Sequence, residues 1–335
     1  MVDVEERVRR YACEVAGDGS RRANSVVRLG GGDRHAVFKV TSTVGDLVVR
    51  VSTLSGAAEY EQAAREAAVL VALDGVAAPR LLDACCDGRW FSTPAMCTEF
   101  IEGEHREFAS AAESQLEALG AMVGSVHARP VGDLAGHFPG PRTAAGYLDQ
   151  WGEVVAGYLP RLRQPLPRQV GPCVERGLSL VTRILNGALP DAWPDAGEPL
   201  VLLHGDITPG NVLWGKHPVL IDWEYARLGD PADDVAYIFG QHGLSAAQRR
   251  AFWSGYRRRV PQPALDRIAG RARMWEPVIL LGSALWWLER WSARASIDDV
   301  GGVDPSVPKL PGYYLGQAVR RLERLEALPG WVTQT

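Results

Sequence analysis

Residues 201–225 read VLLHGDITPGNVLWGKHPVLIDWEY, and this short stretch carries most of the functional information in the chain. An apolar run leads into a polar loop that contains Asp206. Two short apolar segments follow, joined by turn-forming residues at 215–218, so the pattern predicts a β-hairpin. Across that four-residue turn, Trp214 is predicted to pair with Val219.

The predicted pairing brings two potential metal ligands together. In that register Asn211 lies directly opposite Asp222, and cross-strand partners have Cβ atoms about 5 Å apart. Both side chains could then ligate one Mg²⁺ ion, although a slip of one residue would place them on opposite faces. Asp206, earlier in the same loop, could orient a substrate hydroxyl and accept its proton. These are the parts that phosphoryl transfer requires, whereas a hairpin with solvated turn residues is the simpler alternative.

Several short motifs in and after this stretch resemble the aminoglycoside phosphotransferase and choline kinase superfamily. They are His204-Gly205-Asp206, Asn211, Ile221-Asp222-Trp223-Glu224, Gly229-Asp230-Pro231 and Asp234-Val235-Ala236. The resemblance implies an α+β, bilobal, protein-kinase-like fold. Its N-terminal lobe would hold a small antiparallel sheet with one main helix, and its C-terminal lobe would be larger and mostly helical. Protein kinases carry arginine where this chain has Gly205, which favours a small-molecule acceptor over a protein.

The resemblance also implies roles for individual residues. Asp206 would be the catalytic base, and Asn211 and Asp222 would bind Mg²⁺. His204 and Asp234 would support the catalytic loop. The implied phosphate donor is ATP or GTP.

The first hundred residues predict a small β-rich unit with one helix. Strands are predicted at 25–29, 36–41, 47–51, 79–86 and 96–101, and a helix at 57–73. We therefore expect an N-terminal nucleotide-binding lobe, including the hinge, over residues 1–102. A C-terminal catalytic and acceptor-binding lobe is expected over residues 103–335.

A kinase-like nucleotide site needs a cation on the third strand, held by a glutamate of the following helix. Arg50 occupies the strand position where many relatives have lysine, and Glu66 is its expected partner. The alternative is a surface arginine on an edge strand. Gly31 and Gly32 are expected to lie over the phosphates, because glycine lets backbone N–H groups approach closely.

The predicted strand that ends at residue 101 fits the hinge between two lobes. The resemblance implies that the backbone around Glu99, Phe100 and Ile101 hydrogen-bonds the adenine ring. Side chains need not be special for that contact.

The acceptor site has a weaker signature in the sequence. Trp287 and Trp291 lie one helical turn apart, where aromatic rings could hold a cation. Tryptophan at helical spacing is also typical of core packing. Glu224 is an acidic candidate for a cationic amino sugar, with a solvated carboxylate as the alternative.

Composition restricts the class of ligand. The formal net charge is −4 and the isoelectric point is near 6.0, so no basic field favours nucleic acid or an anionic membrane. Five cysteines without paired spacing favour reduced thiols over a disulfide framework or zinc site, as in a cytoplasmic protein. This composition suits an enzyme that acts on a neutral or cationic small molecule. The family resemblance makes a small hydroxylated molecule the expected partner.

Three functions are compatible with these residues. The first is an antibiotic phosphotransferase that confers resistance by modifying an aminoglycoside or another hydroxylated natural product. The second is a metabolic kinase of the choline or thiamine type. The third is a pseudokinase that binds nucleotide without turnover, against which the complete set Asp206, Asn211 and Asp222 argues.

Overall fold

The structure is a computed structural model that describes residues 4–17, 25–30, 34–42, 45–193, 198–294 and 311–329 of the 335-residue chain. The chain divides into two compact units. The first comprises Met1–Pro139, Leu202–Arg227 and Ala246–Arg259, and the second comprises Gly140–Val201, Leu228–Ser245 and Val260–Thr335. The lobe boundary expected after residue 102 divides the chain differently and stays a prediction.

A five-stranded antiparallel sheet lies in the first unit. Its strands are β1 (Ser25–Gly30), β2 (His35–Ser42), β3 (Gly45–Ser52), β4 (Leu81–Cys85) and β5 (Ala95–Glu99), in the order β1-β2-β3-β5-β4. Helix α1 (Val4–Val15) precedes the sheet, and α2 (Ala57–Leu73) lies between β3 and β4 in the chain. The five predicted strands and the predicted helix are confirmed, although β5 ends at Glu99 and not at residue 101.

One face of the sheet is buried because apolar residues alternate along its strands. Phe38, Val40 and Val49 are at most 2% exposed, and Tyr11 of α1 packs into the same core. Arg50 follows Val49 on β3, so its side chain leaves the sheet on the opposite face. The strand pattern thus turns this arginine away from the core beneath α1.

The other elements are mostly helical. The helices are α3 (Glu113–His127), α4 (Ala144–Tyr158), α5 (Gly171–Arg183), α6 (Leu189–Ala192), α7 (Pro231–His242), α8 (Ala246–Tyr256), α9 (Gln262–Arg294) and α10 (Pro311–Glu326). Four short strands are β6 (Val201–Leu203), β7 (Val212–Trp214), β8 (Pro218–Leu220) and β9 (Arg227–Gly229). Within the described part of the chain, none of the helices is both long and apolar enough to cross a membrane.

Helices α3 and α8 of the first unit pack with their backbones in close approach. A Cβ atom on Gly120 would lie 2.0 Å from the Phe252 carbonyl oxygen, and one on Gly255 would lie 1.8 Å from that of Glu117. Only glycine fits at either position, since real Cβ atoms do not approach so closely. The buried His127 side chain then meets the Tyr256 hydroxyl at 2.7 Å and forms part of the contact between the two helices.

The second unit contains a buried ion pair at the start of α7. The Asp230 carboxylate caps the helix by accepting from the Ala232 N–H at 3.0 Å. It also accepts from Arg271 Nε at 2.8 Å, Arg271 Nη2 at 3.0 Å and the Trp275 indole N–H at 2.9 Å. Asp230 is 0% exposed and Arg271 is 1% exposed, so α7 and α9 are joined by a pair that solvent does not reach.

Candidate active site

The hairpin of residues 212–220 forms, but in a different register from the predicted one. Trp214 pairs with Pro218 and Leu213 with Val219, so the predicted pairing of Trp214 with Val219 is wrong by one residue. Proline has no N–H and suits a position outside the ladder hydrogen bonds. Trp214 requires no ladder hydrogen bond from Pro218, because its N–H and carbonyl bond instead to the backbone of Glu104, at 2.9 and 3.2 Å.

This register changes how the two predicted metal ligands are placed. Asn211 lies opposite Ile221, whose N–H donates to the Asn211 carbonyl at 2.9 Å, and not opposite Asp222. Both predicted ligands lie just outside the strands: Asn211 ends the 3₁₀ turn Pro209–Asn211, and Asp222 has a left-handed φ of 64°. The rule that alternate strand residues face opposite sides therefore does not govern them. Asn211 and Asp222 line the same cleft.

Asn211 is tied directly to Asp206. Its amide nitrogen donates to the Asp206 carbonyl and to Asp206 Oδ2, each at 2.9 Å. Both acceptors are oxygens, so the Asn211 side chain must direct its amide nitrogen towards them. The amide oxygen is then the other polar group of this side chain. The five-residue spacing thus closes a loop that fixes the Asp206 carboxylate.

His204 holds the base of the same loop. It is fully buried, its Nδ1 accepts from the Asp206 N–H at 3.2 Å, and its Nε2 lies 3.0 Å from the Ile221 carbonyl. A carbonyl only accepts, so the proton is on Nε2 and the ring is neutral. Its ring packs on Trp223, with centroids 4.6 Å apart. His204 therefore fastens the Asp206 loop to the segment that leads to Asp222.

Gly205 has a steric reason to be glycine. Its φ is +81°, a conformation that side chains disfavour. An added Cβ would also lie 2.4 Å from the Tyr225 carbonyl oxygen and 2.2 Å from Arg227 Nη1. This crowding explains why the arginine of protein kinases is not found at this position.

Arg50 bridges two carboxylates that are distant in sequence. Its Nη2 contacts Glu66, and its Nη1 donates to Asp222 Oδ1 at 2.7 Å. Glu66, only 4% exposed, also accepts from the Trp223 N–H at 3.1 Å. Burial alone would lower the pKa of Arg50, but the two carboxylates raise it overall, so the guanidinium stays charged.

The cleft that contains these groups has a volume of about 550 Å³. Apolar side chains such as Val37, Val48 and Leu213 line part of it, and Arg50 and Asp222 provide charge. A mostly apolar slot with a few convergent polar groups is typical of a small-ligand site. Asn211, Asp222 and Arg50, the predicted metal ligands and cation, thus line one cleft of the first unit. The predicted base, Asp206, is hydrogen-bonded to Asn211.

The expected hinge has one backbone donor left for a ligand. The Glu99 N–H donates to the Arg80 carbonyl at 3.1 Å, and the Phe100 N–H to the Asp46 carbonyl at 3.0 Å. Among the described residues, the Ile101 N–H has no such partner, and Ile101 lines the cleft. The three hinge residues named by the resemblance are therefore not equivalent.

The chemistry of the donor set fits Mg²⁺. Asn211 can offer its amide oxygen, and the Asp222 carboxylate is 37% exposed. Within the described residues, no group of three or more His, Cys, Asp or Glu side chains forms a richer metal site. Mg²⁺ often binds one or two protein oxygens and completes its shell with phosphates and water.

Most of the chain matches a known protein family. The model of the phosphotransferase enzyme family (APH) matches residues 25–275, most of the chain. The chain belongs to the phosphotransferase enzyme family. The predicted relationship to aminoglycoside phosphotransferases and choline kinases is confirmed, and so is the prediction of a small-molecule phosphotransferase.

Solved structures share the fold of this phosphotransferase at low sequence identity. A choline/ethanolamine kinase family protein from Mesorhizobium loti is 21% identical, with a TM-score of 0.63 and coverage of 98% of this chain and 97% of that chain. The macrolide 2′-phosphotransferase of Brachybacterium faecium is 17% identical, with a TM-score of 0.62 and coverage of 96% and 98%. A thermostable mutant of the aminoglycoside phosphotransferase APH(4)-Ia, in complex with AMP-PNP and hygromycin B, is 16% identical. Its TM-score is 0.60, with coverage of 95% and 98%.

One curated relative matches a shorter segment. Acyl-CoA dehydrogenase family member 10 from Mus musculus is 27% identical over 172 residues, which are 49% of this chain and 15% of the mouse protein. The phosphotransferase thus spans a small part of that relative's length.

The predicted acceptor residues of the phosphotransferase have other contacts. Glu224 is reached by Gln62 Nε2 at 3.3 Å and by Arg34 Nε at 3.9 Å, and burial together with the charge of Asp222 raises its pKa to about 7. It therefore belongs to a polar cluster beside α2. An acceptor-binding role for Glu224 stays a prediction.

Trp287 and Trp291, the two tryptophans of α9 predicted at the acceptor site, are partly buried. Trp287 packs on Tyr313 and Tyr314 of α10, with ring centroids 5.8 Å from each, and the Arg321 guanidinium lies 5.3 Å from its ring. Trp291 follows one turn later and is also half-buried. These contacts agree with the packing alternative for Trp287, and a substrate role for either residue stays a prediction. Gly31 and Gly32 lie outside the described residues.

His105 lines the cleft of the phosphotransferase and was not predicted from the sequence. His105 follows the hinge, and its Nδ1 lies 3.3 Å from the Pro209 carbonyl oxygen. No motif or spacing marks it, because its position depends on how the segment after the hinge meets the Asp206 loop. Its proximity to Pro209 could be found only from the fold.

Proposed function

We propose that the protein transfers the γ-phosphate of ATP or GTP to a hydroxyl group of a small molecule, with Mg²⁺ as the cofactor. One arrangement carries the proposal: Asp206 is bonded to Asn211, which lines one cleft together with Arg50 and Asp222. Phosphoryl transfer requires a base, oxygen ligands for a metal ion and a cation that binds the phosphates, and these four residues provide them.

Each of these residues would act on a different part of the reaction. Asp206 would accept the proton of the acceptor hydroxyl. The oxygen of that hydroxyl would attack the γ-phosphorus as the nucleoside diphosphate leaves. The bond from Asn211 would hold the carboxylate in position. Arg50 would bind the phosphates through its planar guanidinium while Glu66 fixes its other side. Mg²⁺, held by Asn211 and Asp222, would neutralise charge on the phosphate oxygens.

The base of the nucleotide would lie at the hinge end of the cleft. The Ile101 N–H is the hinge donor that remains for a ring nitrogen, and Val37 and Val48 provide apolar surface. The related APH(4)-Ia structure holds AMP-PNP, which supports nucleotide use on this fold. A backbone contact of this kind does not by itself select ATP over GTP.

For the acceptor we favour an antibiotic, such as an aminoglycoside or another hydroxylated natural product, in a cytoplasmic resistance enzyme. Two related structures are antibiotic phosphotransferases, one of them with hygromycin B bound. A choline-type kinase is the second candidate, because the Mesorhizobium loti structure belongs to that family. The packing of Trp287 on Tyr313 and Tyr314 makes this tryptophan a less suitable cation-binding face.

Acceptor-stimulated release of nucleoside diphosphate tests the proposal. The assay would combine Mg²⁺, ATP or GTP and a panel of aminoglycosides, macrolides, nucleoside antibiotics, choline, ethanolamine and thiamine. We expect one class to stimulate release, and EDTA to abolish it. Stimulation by choline or ethanolamine alone would select the second candidate. Nucleotide binding without transfer to any member would instead support a pseudokinase.

A further inference from the structure

His105 is an exposed histidine on the wall of the nucleotide cleft. The segment that carries it leaves the hinge at Ile101 and is fixed by two backbone bonds between Glu104 and Trp214. Its side chain is therefore presented from a backbone with a defined position.

The hydrogen bonding of the ring specifies the chemistry of its other nitrogen. Nδ1 lies 3.3 Å from the Pro209 carbonyl oxygen, and a carbonyl only accepts, so Nδ1 carries a proton. In the neutral ring Nε2 is then a hydrogen-bond acceptor. Among the described residues, no protein donor satisfies it.

His105 lines the cleft, follows the hinge in the chain and contacts the turn that ends at Asn211. Ile101, the hinge donor, precedes it by four residues. Pro209, its bonding partner, begins the turn that ends at the expected metal ligand Asn211. If a nucleotide has its base at the hinge and its phosphates near Asn211, its sugar must lie between the hinge and Asn211.

We infer that His105 Nε2 accepts a hydrogen bond from a ribose hydroxyl of the donor nucleotide, so that His105 favours ribonucleotides over deoxyribonucleotides. The inference rests on the proposed function, because it requires a nucleotide in this cleft. It adds a specificity residue that touches the donor and takes no part in proton or phosphoryl transfer.

Binding of diphosphates tests the inference without turnover. The affinities of ADP, 2′-deoxy-ADP and 3′-deoxy-ADP would be measured by calorimetry for the wild type and for His105→Asn, with the guanosine series if GDP binds better. Asparagine retains a nitrogen donor near the position of Nδ1 but has nothing at the position of Nε2. His217→Asn, at an exposed histidine in the turn after β7, is the matched control.

We expect the wild type to bind ADP about 2- to 10-fold more tightly than one of the deoxy analogues, the effect of one hydrogen bond. In His105→Asn this preference should disappear while the affinity for that deoxy analogue stays unchanged. His217→Asn should behave as the wild type.

Three results would contradict the inference. Equal wild-type affinity for all three diphosphates would overturn the role of His105 and leave the phosphotransferase intact. Equal weakening of all three in His105→Asn would show that His105 only positions the loop. Failure of the wild type to bind any nucleotide would overturn the proposed function together with the inference.

Discussion

Two arginine–carboxylate clusters in this protein share their chemistry and differ in their access to solvent. The open cluster comprises Arg50, Glu66 and Asp222 in the first unit, and the sealed cluster comprises Asp230, Arg271 and Trp275 in the second. In the sealed cluster the Asp230 carboxylate is 0% exposed and accepts four hydrogen bonds. In the open cluster the Asp222 side chain is 37% exposed and lines a cleft.

The difference indicates which cluster supports the fold and which meets a ligand. A buried, saturated carboxylate has no capacity for a new partner, and removing the charge of Asp230 leaves the buried Arg271 with only the partly exposed Glu198 as a counter-ion. In the proposed function, Asp222 of the open cluster would bind a metal ion and Arg50 would bind phosphate, each in place of the contact between them. The same Asp→Asn substitution should therefore affect stability in one cluster and turnover in the other.

Asp230→Asn should give the largest loss of stability. It leaves the Arg271 guanidinium, 1% exposed, with a neutral partner, and we expect the free energy of unfolding to fall by about 3–5 kcal/mol. Urea denaturation followed by tryptophan fluorescence measures this loss. A change below about 1 kcal/mol would show that the Glu198 carboxylate, 2.8 Å from Arg271 Nη1, is a sufficient counter-ion.

Asp222→Asn should show the opposite behaviour. We expect turnover to fall on the order of 10²–10³-fold, because the carboxylate proposed to hold Mg²⁺ at the phosphates is lost. The free energy of unfolding should change by less than about 1 kcal/mol, because the carboxylate is partly exposed. Steady-state kinetics and denaturation of the same preparation measure both quantities. Wild-type turnover in this variant would remove Asp222 from the site.

The charge of the open cluster also acts on His35 of β2. Burial, with the nearby Arg50, lowers the pKa of His35 to about 4, whereas the unfolded value is near 6.5. As the pH falls from 6.5 towards 4, the unfolded chain gains a proton that the folded protein resists, so stability is lost in this window. We expect a loss of about 2 kcal/mol between pH 6.5 and 4.5 that is absent from His35→Gln. An equal loss of stability in the wild type and in His35→Gln over this pH range would disprove the role of His35.

Arg50→Lys should have the smallest effect. Lysine keeps the charge beside Glu66 but has one nitrogen, so it does not reach Glu66 and Asp222 in the bridging geometry. We expect nucleotide affinity to fall about 2- to 10-fold, the effect of one lost hydrogen bond. Calorimetric titration with ADP measures it. Tighter binding by the lysine variant would mean that arginine is a compromise at this position.

The sequence predicts local contacts of this site better than distant ones. Asp206 and Asn211 are five residues apart in one loop, and this short separation in sequence determines their contact. The hairpin register was predicted wrongly because a pattern of apolar residues does not reveal that Glu104, far away in the chain, occupies the backbone groups of Trp214. Only the structure supplies that partner.

Long-range features were predictable only through family resemblance or not at all. The contact between Arg50 and Glu66 follows from the kinase-like fold, and no local signal in β3 or α2 indicates it. Glu224 lies in a turn in which the Ala226 N–H donates to the Trp223 carbonyl, and spacing does not reveal that it reaches Arg34 and Gln62 from there. A catalytic loop can be identified from its own residues, whereas the walls of its cleft depend on packing between distant segments.

The most direct test of the account is phosphate transfer by Asp206→Asn. With the acceptor found in the diphosphate-release assay and nucleotide labelled in the γ-phosphate, single-turnover transfer would be compared in the wild type and the variant. We expect the rate to fall about 10²–10⁴-fold with nucleotide affinity unchanged, because only the base is lost. Transfer at the wild-type rate by Asp206→Asn would contradict the proposed mechanism, in which Asp206 alone accepts the proton of the acceptor hydroxyl.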